Sequence, residues 1–172
     1  MCDFLDKFKK IIVIGSPGSG KTYFSNEIKK IWNGNIYHID DIFWENRTEH
    51  LSYEVLEQKI DEIMREDKWL IDGTYITLLR KRVMSADCII YFDLPSEICV
   101  DSVIKRTNFT KKLHGTEDYI GFLDYIRNFK KHSGFIIDEI IKCYPEKATY
   151  RFFSRDKVNE FLKTLFIGKK SK

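Results

Sequence analysis

Long apolar runs are absent from this 172-residue sequence, and its longest stretches, such as 11–14, are far too short to span a membrane. That stretch follows Lys7, Lys9 and Lys10 but lacks the length of a signal-peptide core, so we expect a cytosolic protein with no membrane partner. Glycine and proline are scarce, at 9 and 3 residues, which excludes collagen-like repeats and low-complexity disorder. The 43% of hydrophobic residues is enough for one domain with a sizeable core.

Cysteine is also scarce. The sequence has four cysteines, and no two of them form the C-x-x-C pair typical of a metal or redox site. Apolar neighbours surround three of the four, so we expect buried thiols rather than disulfides or metal ligands.

Acidic residues become fewer towards the C-terminus. Residues 1–100 carry 13 basic and 17 acidic side chains, a net charge of −4, whereas residues 101–172 carry 16 and 9, a net charge of +7. The second half is therefore a candidate surface for an anionic partner, either nucleotide phosphates or nucleic acid. A solvated basic face is the alternative interpretation.

Short apolar runs alternate with segments of helical periodicity along the whole chain. The runs predict five strands, at residues 10–14, 35–38, 69–71, 88–92 and 148–153. The fourth run has no polar alternation, which is typical of a parallel strand covered on both faces. Strands that alternate with helices predict one α/β domain with an open parallel sheet, whose ligands bind beyond the carboxyl ends of the strands.

A phosphate-binding motif follows the first predicted strand. Residues 15–22 satisfy the Walker A pattern G-x-x-x-x-G-K-[ST], and they lie between a predicted strand and a predicted helix, as the motif requires. A chance glycine-rich turn is the alternative. Lys21 is expected to reach the β and γ phosphates, and the Thr22 hydroxyl to ligate Mg²⁺. No Asn-Lys-x-Asp guanine signature is present, which favours ATP. The expected phosphate site consists of Gly15, Ser16, Pro17, Gly18, Ser19, Gly20, Lys21 and Thr22.

Six stretches carry a resemblance to a known family: residues 12–22, 37–44, 69–75, 86–95, 126–131 and 154–158. Together they resemble the adenylate-kinase-like P-loop proteins often labelled DNA topology modulation proteins. The resemblance implies a nucleotide-kinase-like P-loop NTPase, with three layers, a five-stranded parallel sheet and a small mobile helical lid at about 107–132. It also implies Mg²⁺-dependent phosphoryl transfer from ATP, but it does not identify the acceptor, for which a nucleotide or nucleoside is one option.

The resemblance implies roles for acidic residues at two strand ends. Small-molecule kinases similar to this chain keep an acidic residue after the second strand, so Asp40 is a candidate base or magnesium-shell group. Turn and cap roles are the alternative for Asp40 and Asp41. Asp72 precedes a glycine, as does the magnesium-holding aspartate of adenylate kinases. Adenylate kinases continue with Phe-Pro-Arg, whose arginine holds a nucleoside monophosphate, whereas residues 74–76 here are Thr-Tyr-Ile, which puts an AMP acceptor in doubt.

Further candidates surround these positions. Acceptor contacts are expected from aromatic residues, and contacts to an anionic acceptor from two arginines, with packing or solvation as the alternative: Phe43, Trp44, Tyr75, Arg80 and Arg82. Cations near the expected lid are candidates to close over the phosphates and stabilise charge: Arg106, Arg127 and Lys131. Arg155, in the turn after the fifth strand, is a candidate to stack on the nucleotide base.

Three functions remain open from the sequence. The leading hypothesis is an ATP-dependent kinase for a small-molecule acceptor. The alternatives are a nucleotide-regulated, DNA-associated ATPase and a plain ATPase. No helix-turn-helix or other nucleic-acid motif is present, which favours the kinase over the DNA-associated protein. Both a monomer and a homodimer are compatible with the sequence.

Overall fold

Five parallel strands form one sheet in the computed structural model, which describes residues 4–44, 49–108 and 117–170. The strands are β1 (Lys10–Gly15), β2 (Asn35–His38), β3 (Trp69–Asp72), β4 (Cys88–Phe92) and β5 (Ala148–Phe152). Their order across the sheet is β2-β3-β1-β4-β5. All five predicted strands are confirmed, each with ends within one residue of the prediction.

Helices cover both faces of this sheet. They are α1 (Phe4–Lys7), α2 (Lys21–Lys29), α3 (Ile39–Phe43), α4 (Tyr53–Met64), α5 (Ile76–Ser85), α6 (Ser96–Asn108), α7 (Glu117–Arg127), α8 (Phe135–Lys142) and α9 (Arg155–Lys170). A π-helical segment, Lys130–Gly134, separates α7 from α8. The sequence pattern did not predict the short helices α1 and α3.

Two apolar layers form the core, one on each face of the sheet. Successive residues of β1 alternate between them, with Ile11 and Val13 in the layer that includes residues of α2, α6, α7 and α9. Ile12 and Ile14 belong to the layer that includes residues of α3, α4, α5 and α8. Because both faces are covered, β1 needs no polar alternation, and the predicted three-layer α/β fold is confirmed.

The parallel register brings the carboxyl ends of the strands to one edge. His38 at the end of β2 pairs with Asp72 at the end of β3, and Asp72 pairs in turn with Val13 of β1. On the other side of β1, Gly15 pairs with Phe92 of β4. The Walker A segment therefore begins beside the strand ends that carry the predicted acidic residues.

The expected lid is only partly covered by the described residues. The described parts are the end of α6, the helix α7 and the start of the π-helical segment. Residues 109–116 of the expected lid lie outside the described residues. Among the described cysteines, Cys88 and Cys99 are buried as expected, but Cys143 is exposed at the end of α8. In the described ranges, no helix combines the length and apolar character needed to cross a membrane.

Candidate active site

The Walker A glycines permit a close approach between the loop and its neighbours. Gly18 has φ of +78°, and a Cβ there would lie 2.3 Å from the carbonyl oxygen of Cys99 in α6. Gly15 has φ of +146°, and its Cβ would lie 2.5 Å from the carbonyl oxygen of Phe92. Both positions therefore exclude any side chain, and the motif sits tightly between β4 and α6.

The loop leaves polar groups for an anion to bind. α2 begins after Gly20, which offers no side-chain cap to the amides of the first helical turn. The Ser19 hydroxyl oxygen is buried and has no hydrogen-bond partner among the described residues. Uncapped amides at a helix N-terminus together with a buried unpaired hydroxyl fit a phosphate group, so this segment is suited to nucleotide phosphates.

Lys21 is folded against the inside of the loop. Its Nζ donates to the carbonyl oxygens of Gly15 and Ser16, at 2.9 Å in each case. Burial lowers the pKa of Lys21 from its ordinary value, while the negative charges of Asp40 and Asp72 oppose that shift. The ammonium group thus lies between the glycine loop and the two acidic residues.

A buried arginine holds the segment that follows β3. The guanidinium of Arg82 donates to the carbonyl oxygens of Gly73, Thr74 and Tyr75. Arg82 is fully buried, and burial lowers its pKa to about 9, which leaves it charged at neutral pH. Tyr75 has φ of 28°, a strained conformation for a residue with a side chain. The three hydrogen bonds of Arg82 maintain this conformation.

The strained tyrosine reaches the candidate base. The Tyr75 hydroxyl donates at 3.0 Å to Oδ1 of Asp40, which lies in the first turn of α3. Burial raises the pKa of Tyr75 above its ordinary value, and the Asp40 charge raises it further. The phenol therefore stays protonated and acts as a donor, which orients the Asp40 carboxylate.

Asp72 is paired with a histidine. Its Oδ2 lies 2.6 Å from Nδ1 of His38, and the side chain of Asp72 is only 3% exposed. This hydrogen bond raises the pKa of His38 above its ordinary value, against the opposing effect of burial. The pair joins the ends of β2 and β3 below the Walker A loop.

The protein oxygens near the Walker A loop could bind Mg²⁺ only together with a phosphate ligand. Within the described residues, no group of three or more His, Cys, Asp or Glu side chains could hold a metal ion. Mg²⁺ is commonly bound by one or two protein oxygens together with substrate phosphates. The exposed Thr22 at the start of α2 fits that arrangement. The Asp72 carboxylate is buried and paired with His38, so it fits a position behind the water ligands that Mg²⁺ retains.

Two cavities meet at the loop. The smaller, of about 350 Å³, is lined by residues that include Tyr53, Gly73, Thr74, Tyr75, Thr77 and Tyr125. The larger, of about 700 Å³, is lined by residues that include Gly18, Thr22, Trp44, Arg106, Phe122 and Arg155. Pro17, Lys21 and Asp40 line both, so they lie at the boundary between the two spaces.

The structure brings most of the predicted site residues to these cavities. Arg155 lies beside the loop, where it donates to the Gly18 carbonyl oxygen at 3.1 Å and to the Ser102 hydroxyl. Phe43 and Trp44 lie in different surroundings. Phe43 is buried against the ring of Tyr75, whereas Trp44 is 42% exposed and lines the larger cavity.

Three predicted cations lie elsewhere. Arg80 lines neither cavity, because α5 directs it to Tyr144 and Cys143 at the end of α8. Arg127 pairs with Asp124 one turn earlier on its own helix, at 2.6 Å. Lys131 is exposed in the π-helical segment and also lines neither cavity. In this conformation, none of the three reaches the Walker A loop.

The expectation that Arg82 contacts an anionic acceptor or solvent is wrong, because the residue is buried, and sequence reasoning missed other residues of the site. Arg82 follows Leu78 by four residues, so it lies on the apolar face of α5, and this spacing was a usable signal. His38 is paired with Asp72 by the register of β2 and β3, which is known only once the strand order is known. Tyr53 and Tyr125 come from distant helices, and no sequence pattern marked them.

Structures of two kinases are similar to this chain over nearly its whole length. One is a shikimate kinase from Acinetobacter baumannii in complex with shikimate, with a TM-score of 0.60 and 16% identity over 95% of this chain and 96% of that one. The other is a shikimate kinase from Bacteroides thetaiotaomicron, with a TM-score of 0.57 and 14% identity over 92% and 96%. No protein-family model and no curated protein matches the sequence. The chain therefore has the P-loop kinase fold.

Proposed function

We propose that this protein is an ATP-dependent kinase that transfers a phosphoryl group to a hydroxyl of a small molecule. The observation that carries the proposal is that Lys21 and Asp40 line both cavities. A cation and a carboxylate at the boundary of two adjoining cavities suit a reaction in which a phosphoryl group passes from one to the other. The similarity in fold to two shikimate kinases supports this function.

The larger cavity is the proposed site of ATP. The amides at the start of α2, with Ser19 and Lys21, would hold the phosphates, and Thr22 and Asp72 would hold Mg²⁺. Bound Mg²⁺ would supply positive charge to the transferring group. Arg106 and Arg155 line the same cavity and would contribute further positive charge or base contacts. Arg127 and Lys131 could join them only through movement of the predicted lid, about 107–132.

The smaller cavity is the proposed acceptor site. Asp40, oriented by Tyr75, would take the proton of the acceptor hydroxyl as that oxygen bonds to the γ-phosphorus of ATP. The bond from phosphorus to the β–γ bridging oxygen breaks, and ADP leaves with that electron pair. Lys21 would stabilise the negative charge that spreads over the transferring group.

Substitution of Lys21 tests the nucleotide site. Mg-ATP at a hundredfold excess over its Kd should stabilise the wild type by about 2.7 kcal/mol against unfolding. Lys21→Ala should remove most of this stabilisation, whereas Lys29→Ala, an exposed lysine in the same helix, should keep it. Equal stabilisation of wild type and Lys21→Ala would contradict the proposal.

An acceptor screen tests the reaction itself. ADP release would be measured with Mg-ATP and nucleosides, nucleotides, sugars, sugar acids, polyols and shikimate, the last because one similar structure contains it. A kinase should release ADP rapidly only with its acceptor. Rapid release without any acceptor would indicate a plain ATPase, and stimulation by duplex DNA alone would favour the DNA-associated alternative.

A further inference from the structure

We infer that the acceptor is a hydroxyl compound without an anionic group, such as a polyol, a sugar or a nucleoside. This inference rests on the proposed function and concerns the smaller cavity. It follows from what lines that cavity and from where the neighbouring cations are held. It separates this protein from kinases whose acceptors carry a carboxylate or a phosphate.

The lining of the smaller cavity suits a ring-sized polar molecule. Its volume of about 350 Å³ is at the lower end of the range for small-molecule sites. Three tyrosines, Tyr53, Tyr75 and Tyr125, provide aromatic surface, and the exposed Thr77 also lines the wall. Aromatic rings pack on the apolar faces of sugars and nucleobases, while hydroxyl groups provide hydrogen bonds.

The charge of Asp40 is unfavourable for an anion in the smaller cavity. Asp40 is an exposed residue that lines this cavity, and the Tyr75 hydroxyl, which donates to its Oδ1, fixes the position of the carboxylate. A carboxylate attracts hydroxyl donors and repels a second negative charge at short range. A carboxylate or phosphate on the acceptor would therefore bind weakly beside Asp40.

None of the three cations of α5, the helix that begins at this cavity, lines the cavity. Arg80 contacts Tyr144 and Cys143, and Lys81 forms ion pairs with Glu57 and Asp61 of α4 at 2.8 and 2.7 Å. Arg82 is buried and donates to backbone carbonyl oxygens below the cavity wall. The ion pairs of Lys81 and the backbone hydrogen bonds of Arg82 therefore leave neither side chain free to pair with an anionic acceptor.

The two cavities differ in positive charge. In the described part of the chain, Lys21 is the one Lys or Arg that lines the smaller cavity, and its Nζ is held by loop carbonyl oxygens. The larger cavity has Lys21 together with Arg106 and Arg155. Negative charge is thus accommodated on the side proposed for ATP.

Matched pairs of compounds test the inference by binding. With the nucleotide site saturated by Mg²⁺ and a non-hydrolysable ATP analogue, calorimetry would compare adenosine with AMP, thymidine with dTMP, and sorbitol with gluconate. At least one neutral member should bind about tenfold or more tightly than its anionic partner, and it should also stimulate ADP release from Mg-ATP. Binding of an anionic member as tightly as its neutral partner, or no binding by any neutral compound, would overturn the inference.

Two neighbouring aspartates allow a test of whether the charge of Asp40 causes the preference. Asp40→Asn removes the charge that lines the cavity. The preference for the neutral compound, the ratio of the two Kd values in a pair, should fall about tenfold or disappear. Asp41→Asn changes an exposed carboxylate in the same helical turn that does not line the cavity, and it should leave the preference unchanged. If both variants changed this preference equally, or if neither changed it, the argument from Asp40 would be refuted.

The proposed function and this inference can fail separately. If Mg-ATP binds and an anionic acceptor stimulates ADP release, the kinase stands and the inference about the acceptor fails. If Mg-ATP neither binds nor is hydrolysed, the proposed function fails, whatever binds in the smaller cavity.

Discussion

The side chain of Thr74 is joined to the backbone of Gly15 by two hydrogen bonds. Its Oγ1 donates to the Gly15 carbonyl oxygen at 2.5 Å and accepts from the Gly15 amide at 3.1 Å. Gly15 opens the Walker A segment, and Thr74 belongs to the segment that Arg82 holds after β3. The phosphate loop and the wall of the smaller cavity are therefore fixed to each other.

Thr74→Val should lower stability and weaken nucleotide binding together. Valine has nearly the same shape but cannot form either hydrogen bond, which leaves the buried Gly15 amide without this acceptor. We expect a loss of about 1–3 kcal/mol in the free energy of unfolding, measured by urea denaturation. Thr74→Ser should recover most of that loss because it keeps the hydroxyl. A valine variant as stable as the wild type would contradict the structural role of Thr74.

Gly18→Ala and Gly121→Ala should change stability in opposite directions. An alanine at Gly18 would adopt φ of +78° and place its Cβ 2.3 Å from the Cys99 carbonyl oxygen. We expect a loss of about 1–3 kcal/mol from backbone strain alone, and weaker Mg-ATP binding. Gly121 lies within α7 with nothing within 4 Å of its Cβ position, so alanine should stabilise that helix by about 0.5–1 kcal/mol. Thermal unfolding with and without Mg-ATP would measure both effects. A Gly18→Ala variant as stable as the wild type would contradict the prediction.

The His38–Asp72 pair should make stability depend on pH. The pKa of His38 is raised in the folded state by its hydrogen bond to Asp72. The stabilisation is therefore complete below the ordinary pKa of histidine, about 6.5, and is lost as pH rises through the raised value. In metal-free buffer, the free energy of unfolding of wild type relative to His38→Gln should decrease over that interval.

The control for this prediction is His132→Gln, which changes an exposed histidine in the π-helical segment. Its free energy of unfolding should follow that of the wild type across the same pH range. A wild-type advantage over His38→Gln that stays constant, or grows as pH rises, would show that the pair does not act through protonation.

The strands and the phosphate loop were accessible from the sequence because their signals are local. Each strand is a short apolar run, and the Walker A segment is a continuous stretch whose residue types serve one turn and one helix start. The sequence did not predict α3 because a helix of five residues is too short to show a helical period. The short α1 lacked such a signal for the same reason.

The roles of the arginines show where local signals end. Arg80 and Arg82 are two residues apart on α5, so they point to opposite sides of the helix. Arg82 points into the protein and holds three backbone carbonyl oxygens, whereas Arg80 reaches α8. The sequence supplied the two cations but not the packing partners of α5, and those partners decide which contacts each side chain makes.

The sequence alone determined the alternation of strands and helices, the parallel α/β sheet and the position of the phosphate loop, because short-range periodicity and one contiguous motif specify them. The tertiary structure decided which polar groups meet. It paired His38 with Asp72, Tyr75 with Asp40, and Lys81 of α5 with Asp61 of α4. These contacts join residues more than 15 positions apart, and they depend on the β2-β3-β1 strand order and on the rotation of each helix about its axis.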